Sequence, residues 1–462
     1  MSAGAETTPR AFVVRFRDLH RWAVGSVVET AWRWPAADIK PLSDALSRKM
    51  VPVDRDPSSP STLPLLTLHF DGEMEPRDVN AGDHFKGRLF HADPGDVVYS
   101  KIDVRNGAIG IIPENFGRMC VSSEYPVYSV DPKIAEARYI KLLFRTDAFR
   151  RKINSMISGA SGRKRVQPTD LQTVKVPLPR LSIQREIVAA WESAQRAAAD
   201  TAGKIEQLER DIESRFLADL GLKASIRATM PKMFAVSWKE LARWGVQPNQ
   251  RAVTSVDIST GKYTVVDGRD CLAEVKHGCS ASPSPLPTSL EVLKISAVTR
   301  GSFDPDERKY AFDVPRYRRE FGLRADDVLM CRTNGTLALV GMSALVERDM
   351  SNLIYPDKVI RVRCRSNILA SYFWKLVQMS FARSQIEAAA RTAVGNHAIG
   401  SDDIWDLRFP LPPLPIQRQI VERVTARRNE IARLKADAKA RADAARADVE
   451  AMILGLKKVR AS

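Results

Sequence analysis

PLPRLSIQREIV at residues 177–188 and PLPPLPIQRQIV at residues 410–421 are the same segment written twice. Nine of the twelve positions are identical at an offset of 233 residues. In each copy a proline-rich lead closes an extended segment, and an Ile-Gln-Arg opens a long helical pattern. A duplication of this kind is read before any local motif, because it sets the architecture.

Working outward, the pattern after each motif stays helical for about 40 residues, roughly 60 Å at 1.5 Å per residue. Ile183, Gln184, Ile187, Trp191, Ile205, Leu208 and Ile212 mark the first stretch, and Ile416, Gln417, Ile420, Val424, Ile431 and Leu434 the second. Both are rich in Ala, Glu, Arg and Lys, as a long exposed helix requires. One apolar stripe per helix needs a partner stripe, and the other helix, packed antiparallel, is the simplest. Before each motif, residues 138–157 and 371–390 read as helix at the same offset, with Tyr139, Leu143 and Ile153 falling on Tyr372, Leu376 and Ile386. A glycine loop and a short element follow, in which Gly162, Val166 and Asp170 fall on Gly395, Ile399 and Asp403. Further upstream lie short β-type runs with turns at Pro94-Gly95, Asn106-Gly107 and Asn334-Gly335. These runs are 62–70, 96–102 and 108–113, then 290–298, 327–333, 336–346 and 357–364. The repeat also has a head, since AFVVRFRDLHRWAV at 11–24 is echoed by MFAVSWKELARWGV at 233–246. The expected organisation is an α+β chain with two similar α/β domains, 1–181 (1–10 disordered) and 223–412. Two spacer helices, 182–222 and 413–462, form an antiparallel coiled coil.

A net charge of +16 points to a polyanionic partner, with nucleic acid ahead of a membrane surface. Five cysteines without a CxxC pair argue against a disulfide framework and a zinc site, and fit a reducing cytoplasm. No apolar run approaches the length of a membrane span, and the N-terminus lacks the apolar core of a signal peptide.

Motifs for catalysis are missing. There is no GxxxxGK[ST] phosphate loop, no Gly-rich dinucleotide fingerprint and no Asn/Asp-Pro-Pro-Tyr/Phe segment. The six histidines are scattered without a ligand spacing. Glu274 and Lys276, preceded by Asp267 and Asp270, faintly echo the carboxylate–lysine cluster of metal-dependent nucleases. A self-contained endonuclease is therefore one alternative, and a coiled-coil adaptor binding only proteins is another. The leading expectation is a DNA binder, in which forked donors read bases and cations hold phosphates. Its candidates are the glycine-loop cations Arg163, Lys164 and Arg165, with Arg391, Asn396 and His397 in the second loop. Lys101, Arg105, Asn106, Arg332 and Asn334 join them from the strand–turn stretches.

The doubled PLPxLxIQRxIV motif, each copy opening a long helix after a variable domain, resembles the specificity subunit of type I restriction–modification systems. That resemblance implies two target recognition domains, each reading one half of a bipartite, asymmetric site in double-stranded DNA. It implies that the spacer helices dock two methyltransferase subunits, which bind S-adenosylmethionine and methylate adenine at N6. Restriction/translocase subunits would add ATP- and Mg²⁺-dependent translocation and cleavage. The specificity subunit would itself hold no cofactor and catalyse nothing.

Overall fold

The computed structural model describes residues 32–53, 64–77, 87–155, 165–223, 256–393 and 395–459. The repeated head at 11–24 and 233–246, the tail at 1–10, and Gly162, Arg163 and Lys164 lie outside them. The chain forms two compact units, Met1–Thr201 with Asp437–Ser462, and Ala202–Ala436.

In the first unit a four-stranded antiparallel sheet carries the core, in the order Leu46–Lys49, Val127–Val130, Val97–Tyr99 and Ile109–Ile111. Val97, Val98 and Tyr99 are all buried, as an unbroken apolar run in a central strand requires. A second four-stranded sheet, Met74–Arg77, Leu65–Leu68, Met119–Ser122 and Leu89–Ala92, encloses a smaller cluster around Met119 and Val121. The Asn106-Gly107 turn is where expected. Gly107 has φ +104, and a Cβ there would collide with the Phe70 carbonyl, so only glycine fits.

The second unit repeats the central sheet as Leu272–His277, Val359–Cys364, Val328–Cys331 and Ser343–Leu345. It adds a three-stranded sheet of Arg308–Ala311, Leu290–Leu293 and Leu353–Ile354. Two expectations are corrected here. The run 290–298 is a strand only over Leu290–Leu293 and then turns into the short helix Ser296–Thr299. The run 336–346 opens as a 3-10 turn at Leu337–Leu339 before the strand Ser343–Leu345.

Each expected helix before the proline motif is two helices. Ala137–Arg145 and Asp147–Ser155 are split at Thr146, whose backbone is extended. The Thr146 hydroxyl accepts from the Phe149 amide at 3.2 Å, the pattern of a residue capping a new helix. Ala370–Leu376 and Ser380–Ala389 are split in the same place.

The proline segments pair with the first strand of their own domain, Lys175–Pro177 with Ile39–Pro41 and Arg408–Pro410 with Val265–Asp267. The helices that follow run Leu181–Asp219 and Leu414–Leu454. Within the second unit they are antiparallel, since Glu209 meets Lys435 at 3.3 Å while Asp219, further along, meets Arg423 at 2.9 Å. The fold is thus α+β with two similar mixed domains and a long antiparallel helix pair. Ile205, Leu208 and Ile212 join Val424 and Ile431 in one apolar cluster. Leu434 is half-buried.

The start of the first helix belongs to a different cluster from that seam, while the start of the second is continuous with it. Ile187 packs in the first domain core, with Ile183 and Trp191 against it, and Ile420, with Ile416 beside it, packs in the second. Gln184 and Gln417 are fully buried and serve as internal crosslinks. Gln184 accepts from the Glu136 amide at 2.9 Å and donates to the Ile134 and Pro179 carbonyls at 3.0 and 2.7 Å. Gln417 accepts from the Leu369 amide at 2.8 Å and donates to the Asn367 and Pro412 carbonyls at 3.1 and 2.8 Å. An amide side chain can do both, which is why glutamine stands at this position in each copy.

The far ends of the helices match as well. Gly221 at φ +73 and Gly455 at φ +78 close Schellman caps, with the Leu222 amide on Leu217 O and the Leu456 amide on Ala451 O, both at 2.8 Å. Beyond the first cap, Lys262 N donates to Leu220 O at 2.9 Å, and beyond the second, Arg33 N donates to Leu454 O at 2.7 Å. Val449 and Ile453 thereby complete the core of the first domain.

Candidate nucleic-acid interface

In each central sheet the strand carrying the DVVYSK or DVLMCR segment is followed within two residues by a cation. Lys101 N donates to Glu124 O at 3.1 Å, and Lys101 O accepts from the Val166 amide at 2.9 Å, just after the glycine loop. Arg332 repeats this geometry, with its N on Lys358 O at 2.8 Å and its O accepting from the Ile399 amide at 3.0 Å. The residues that follow each glycine motif, Val166 and Ile399, are therefore held at the same corner of their sheets.

In the first domain, Glu124 lies 3.8 Å from Lys101 and 3.3 Å from Arg165, so one carboxylate serves two cations. Asn106 donates to Asp103 at 3.3 Å in its own turn, and Arg105 is half-buried. The strand Leu46–Lys49, which runs parallel to Val97–Tyr99 with Val127–Val130 between them, ends beside Lys101. Arg48, Lys49 and Lys101 line a cavity of about 100 Å³ with Phe90 and Tyr125. Lys49 is held by Asp93 and Asp96 at 2.6 Å each, whereas Arg48 sits 5.9 Å from the Tyr128 ring.

In the second domain the expected residues converge more closely. Thr333–Asn334, Asn396–Ala398 and Arg391–Ala393 form one three-stranded sheet, with Asn334 opposite His397 and His397 opposite Thr392. His397 Nδ1 lies 3.1 Å from the Thr392 hydroxyl. Arg391 and Asn396 are exposed, Arg391 being 3.5 Å from Asp403. Arg332 donates to the Asp357 carbonyl at 3.1 Å, and its Nε is enclosed with no hydrogen-bond partner among the described residues. His277, at the end of the parallel strand, has an Nε2 in the same condition. Burial, and then the Arg332 charge, hold its imidazole below the usual histidine range.

Arg48 and His277 were not singled out from sequence. They sit at strand ends whose offset differs from 233 residues, so the duplication does not align them. The signal that would have found them is that the two strands run parallel with one strand between them, which only the sheet order supplies.

The nuclease-like cluster does not assemble. Arg361, a buried guanidinium, donates to Glu274 at 2.9 Å, and Arg363 lies 3.8 Å away. Lys276 stands 4.6 Å over the Phe321 ring, and Asp270 accepts from the Asp267 amide at 3.4 Å in a helix cap. Among the described residues no group of three or more His, Cys, Asp or Glu is placed to hold a metal ion. No disulfide joins any of the five cysteines, and burial pushes the Cys271 and Cys331 thiols up to about 11. Among the described residues no helix is long and apolar enough to cross a membrane.

Residues 89–210 match the family model described as the type I restriction modification DNA specificity domain. The EcoKI specificity subunit of Escherichia coli (strain K12) is 25% identical over 293 residues, 63% of this chain and 58% of that protein. The StySPI specificity subunit of Salmonella potsdam matches with the same identity and shares. The matched stretch thus spans less than two thirds of these relatives' length. A solved chain, from work on complex assembly and conformational transition of the type I R-M system, aligns with a TM-score of 0.58 at 14% identity. That alignment covers 90% of this chain and 96% of that one, and shows the shared fold. Residues 89–210 thus carry the likeness to a restriction–modification specificity domain. Among the proteins to which the chain is similar are the type I specificity subunits, the same resemblance that the doubled motif carries.

Proposed function

We propose that this chain is the DNA-recognition subunit of a type I restriction–modification complex and works in the cytoplasm. Each domain reads one half of a bipartite site, and because the two corners differ in chemistry, the halves differ in sequence. The observation that carries this reading is the repeated corner, where a cation just beyond a buried strand, Lys101 or Arg332, accepts at its carbonyl from the Val166 or Ile399 amide, which follows the glycine motif of its domain in sequence. Buried backbone bonds fix the cation's place and leave neighbouring loop residues to vary, which suits a module that holds phosphates in one way and reads bases in another. The chain supplies binding and register. Two methyltransferase subunits bring S-adenosylmethionine and methylate adenine at N6, and restriction subunits bring the ATP- and Mg²⁺-dependent steps.

Mapping methylated adenines in cells with and without the gene tests the proposal. A split, asymmetric methylation motif that vanishes on deletion is expected. A methylation pattern unchanged by deletion, or Mg²⁺-dependent cutting by the purified chain alone, would overturn it.

A further inference from the structure

Lys375 lies in the helix Ala370–Leu376 and is only 4% exposed, yet no carboxylate is ion-paired with its ammonium among the described residues, and none contributes to its titration. Its neighbours are the Trp374 ring, 3.6 Å from Nζ, and the charge of Arg428, which repels it. One turn along, Gln378 accepts from Arg428 at 3.2 Å through its Oε1, which fixes the orientation of the amide. The other end of that amide, Nε2, is enclosed and has no acceptor. Three donors therefore lie at the junction of the second domain with the second long helix, and the one acceptor beside them, Gln378 Oε1, is already taken by Arg428. An isolated buried ammonium is costly unless an anion compensates it. Burial and then Arg428 lower the Lys375 pKa to about 8.

The first domain lacks this arrangement. The positions 233 residues earlier are Leu142, Arg145 and Gln195, and Arg145 is already spent on the Gly107 and Ile109 carbonyls. The cluster is a property of the second unit alone and is not explained by the duplicated scaffold.

We propose that Lys375, Arg428 and the Gln378 amide form an anion site, occupied by a carboxylate side chain of a protein partner docked at this junction. Arg428 is exposed and forms the mouth, while Lys375 forms the floor. A slender glutamate or aspartate reaches such a floor, whereas the phosphate of a duplex is met by exposed side chains. The planar guanidinium of Arg428 keeps donors free to fork onto a carboxylate.

The test is thermal unfolding of the full chain at neutral pH in sodium glutarate against sodium chloride at equal ionic strength, with sodium phosphate as a further arm. A saturable glutarate-dependent rise in Tm is expected for the native chain. It should be lost in Lys375→Met and in Arg428→Gln, and kept in Lys309→Met, an exposed lysine elsewhere in the unit. The Arg428 change is at the surface, so its reading does not depend on the buried substitution folding. A rise that survives both variants, or no rise at all, overturns the proposal. A rise with phosphate and none with glutarate overturns the carboxylate assignment. None of these outcomes bears on DNA recognition, which methylation mapping tests separately.

Discussion

Replacing Gln417 with leucine should loosen the second domain from its helix while leaving the first domain intact. The glutamine satisfies the Leu369 amide and the Asn367 and Pro412 carbonyls. Asn367 is exposed, so its carbonyl can turn to water, but Pro412 is buried and Leu369 is half-buried. Two enclosed groups are left without partners, at about 1–3 kcal/mol each, so the expected loss is about 2–6 kcal/mol. Against a total of about 5–15 kcal/mol for a typical domain, that is a large fraction. Urea denaturation followed by far-UV circular dichroism reads the loss, and hydrogen exchange at the Leu369 amide locates it. Gln184→Leu should do the same to the first unit, and the double variant should show the two losses added. Gln417→Glu keeps an acceptor for Leu369 but removes both donors, so it should also destabilise. A loss under about 1 kcal/mol with Leu369 still protected would refute the idea that this side chain fastens helix to domain.

Three other outcomes are expected. Lys101→Ala and Arg332→Ala should each weaken DNA binding across all sequences and flatten the log–log salt dependence by about 0.9 per lost phosphate contact, measured by fluorescence anisotropy over a salt series. Alanine at Arg163, Lys164 and Arg165 together should weaken DNA binding yet leave methyltransferase association intact, as pull-down would report. Lys375 has a folded pKa of about 8, below the ordinary 10.5, so between those values the unfolded chain binds the extra proton and stability rises with pH. Urea midpoints across that range should climb for the native chain and stay flatter for Lys375→Met, which should also be the more stable of the two near pH 7.

The long helices were legible because their apolar spacing persists far beyond a single domain helix, and the duplication was legible because one offset holds across both motifs. The role of Gln184 and Gln417 was not. On a helical stripe they look like surface residues of a spacer, and only the backbone groups of residues 134–136 and 367–369, brought against them by folding, show them as crosslinks. Thr146 hides a helix break in the same way, since its hydroxyl acts only once the chain turns there. Lys101 and Arg332 could be read as cations following a buried strand. Arg48, His277 and Lys375 could not, because what sets them apart is a strand two places away in the sheet, an enclosed nitrogen or a missing carboxylate, none of which leaves a pattern along the chain.

The return of the second helix to the first domain also sets an order of events during synthesis. Residues 202–436 are contiguous and can condense as they leave the ribosome. The first domain, although made earlier, lacks Val449 and Ile453 and the Ile453 carbonyl that Trp34 Nε1 reaches at 2.8 Å. It waits through the translation of nearly everything else with part of its core open. A nascent chain stalled before Val449 should therefore carry a finished second unit and an unfinished first one, with chaperones bound at the end made first.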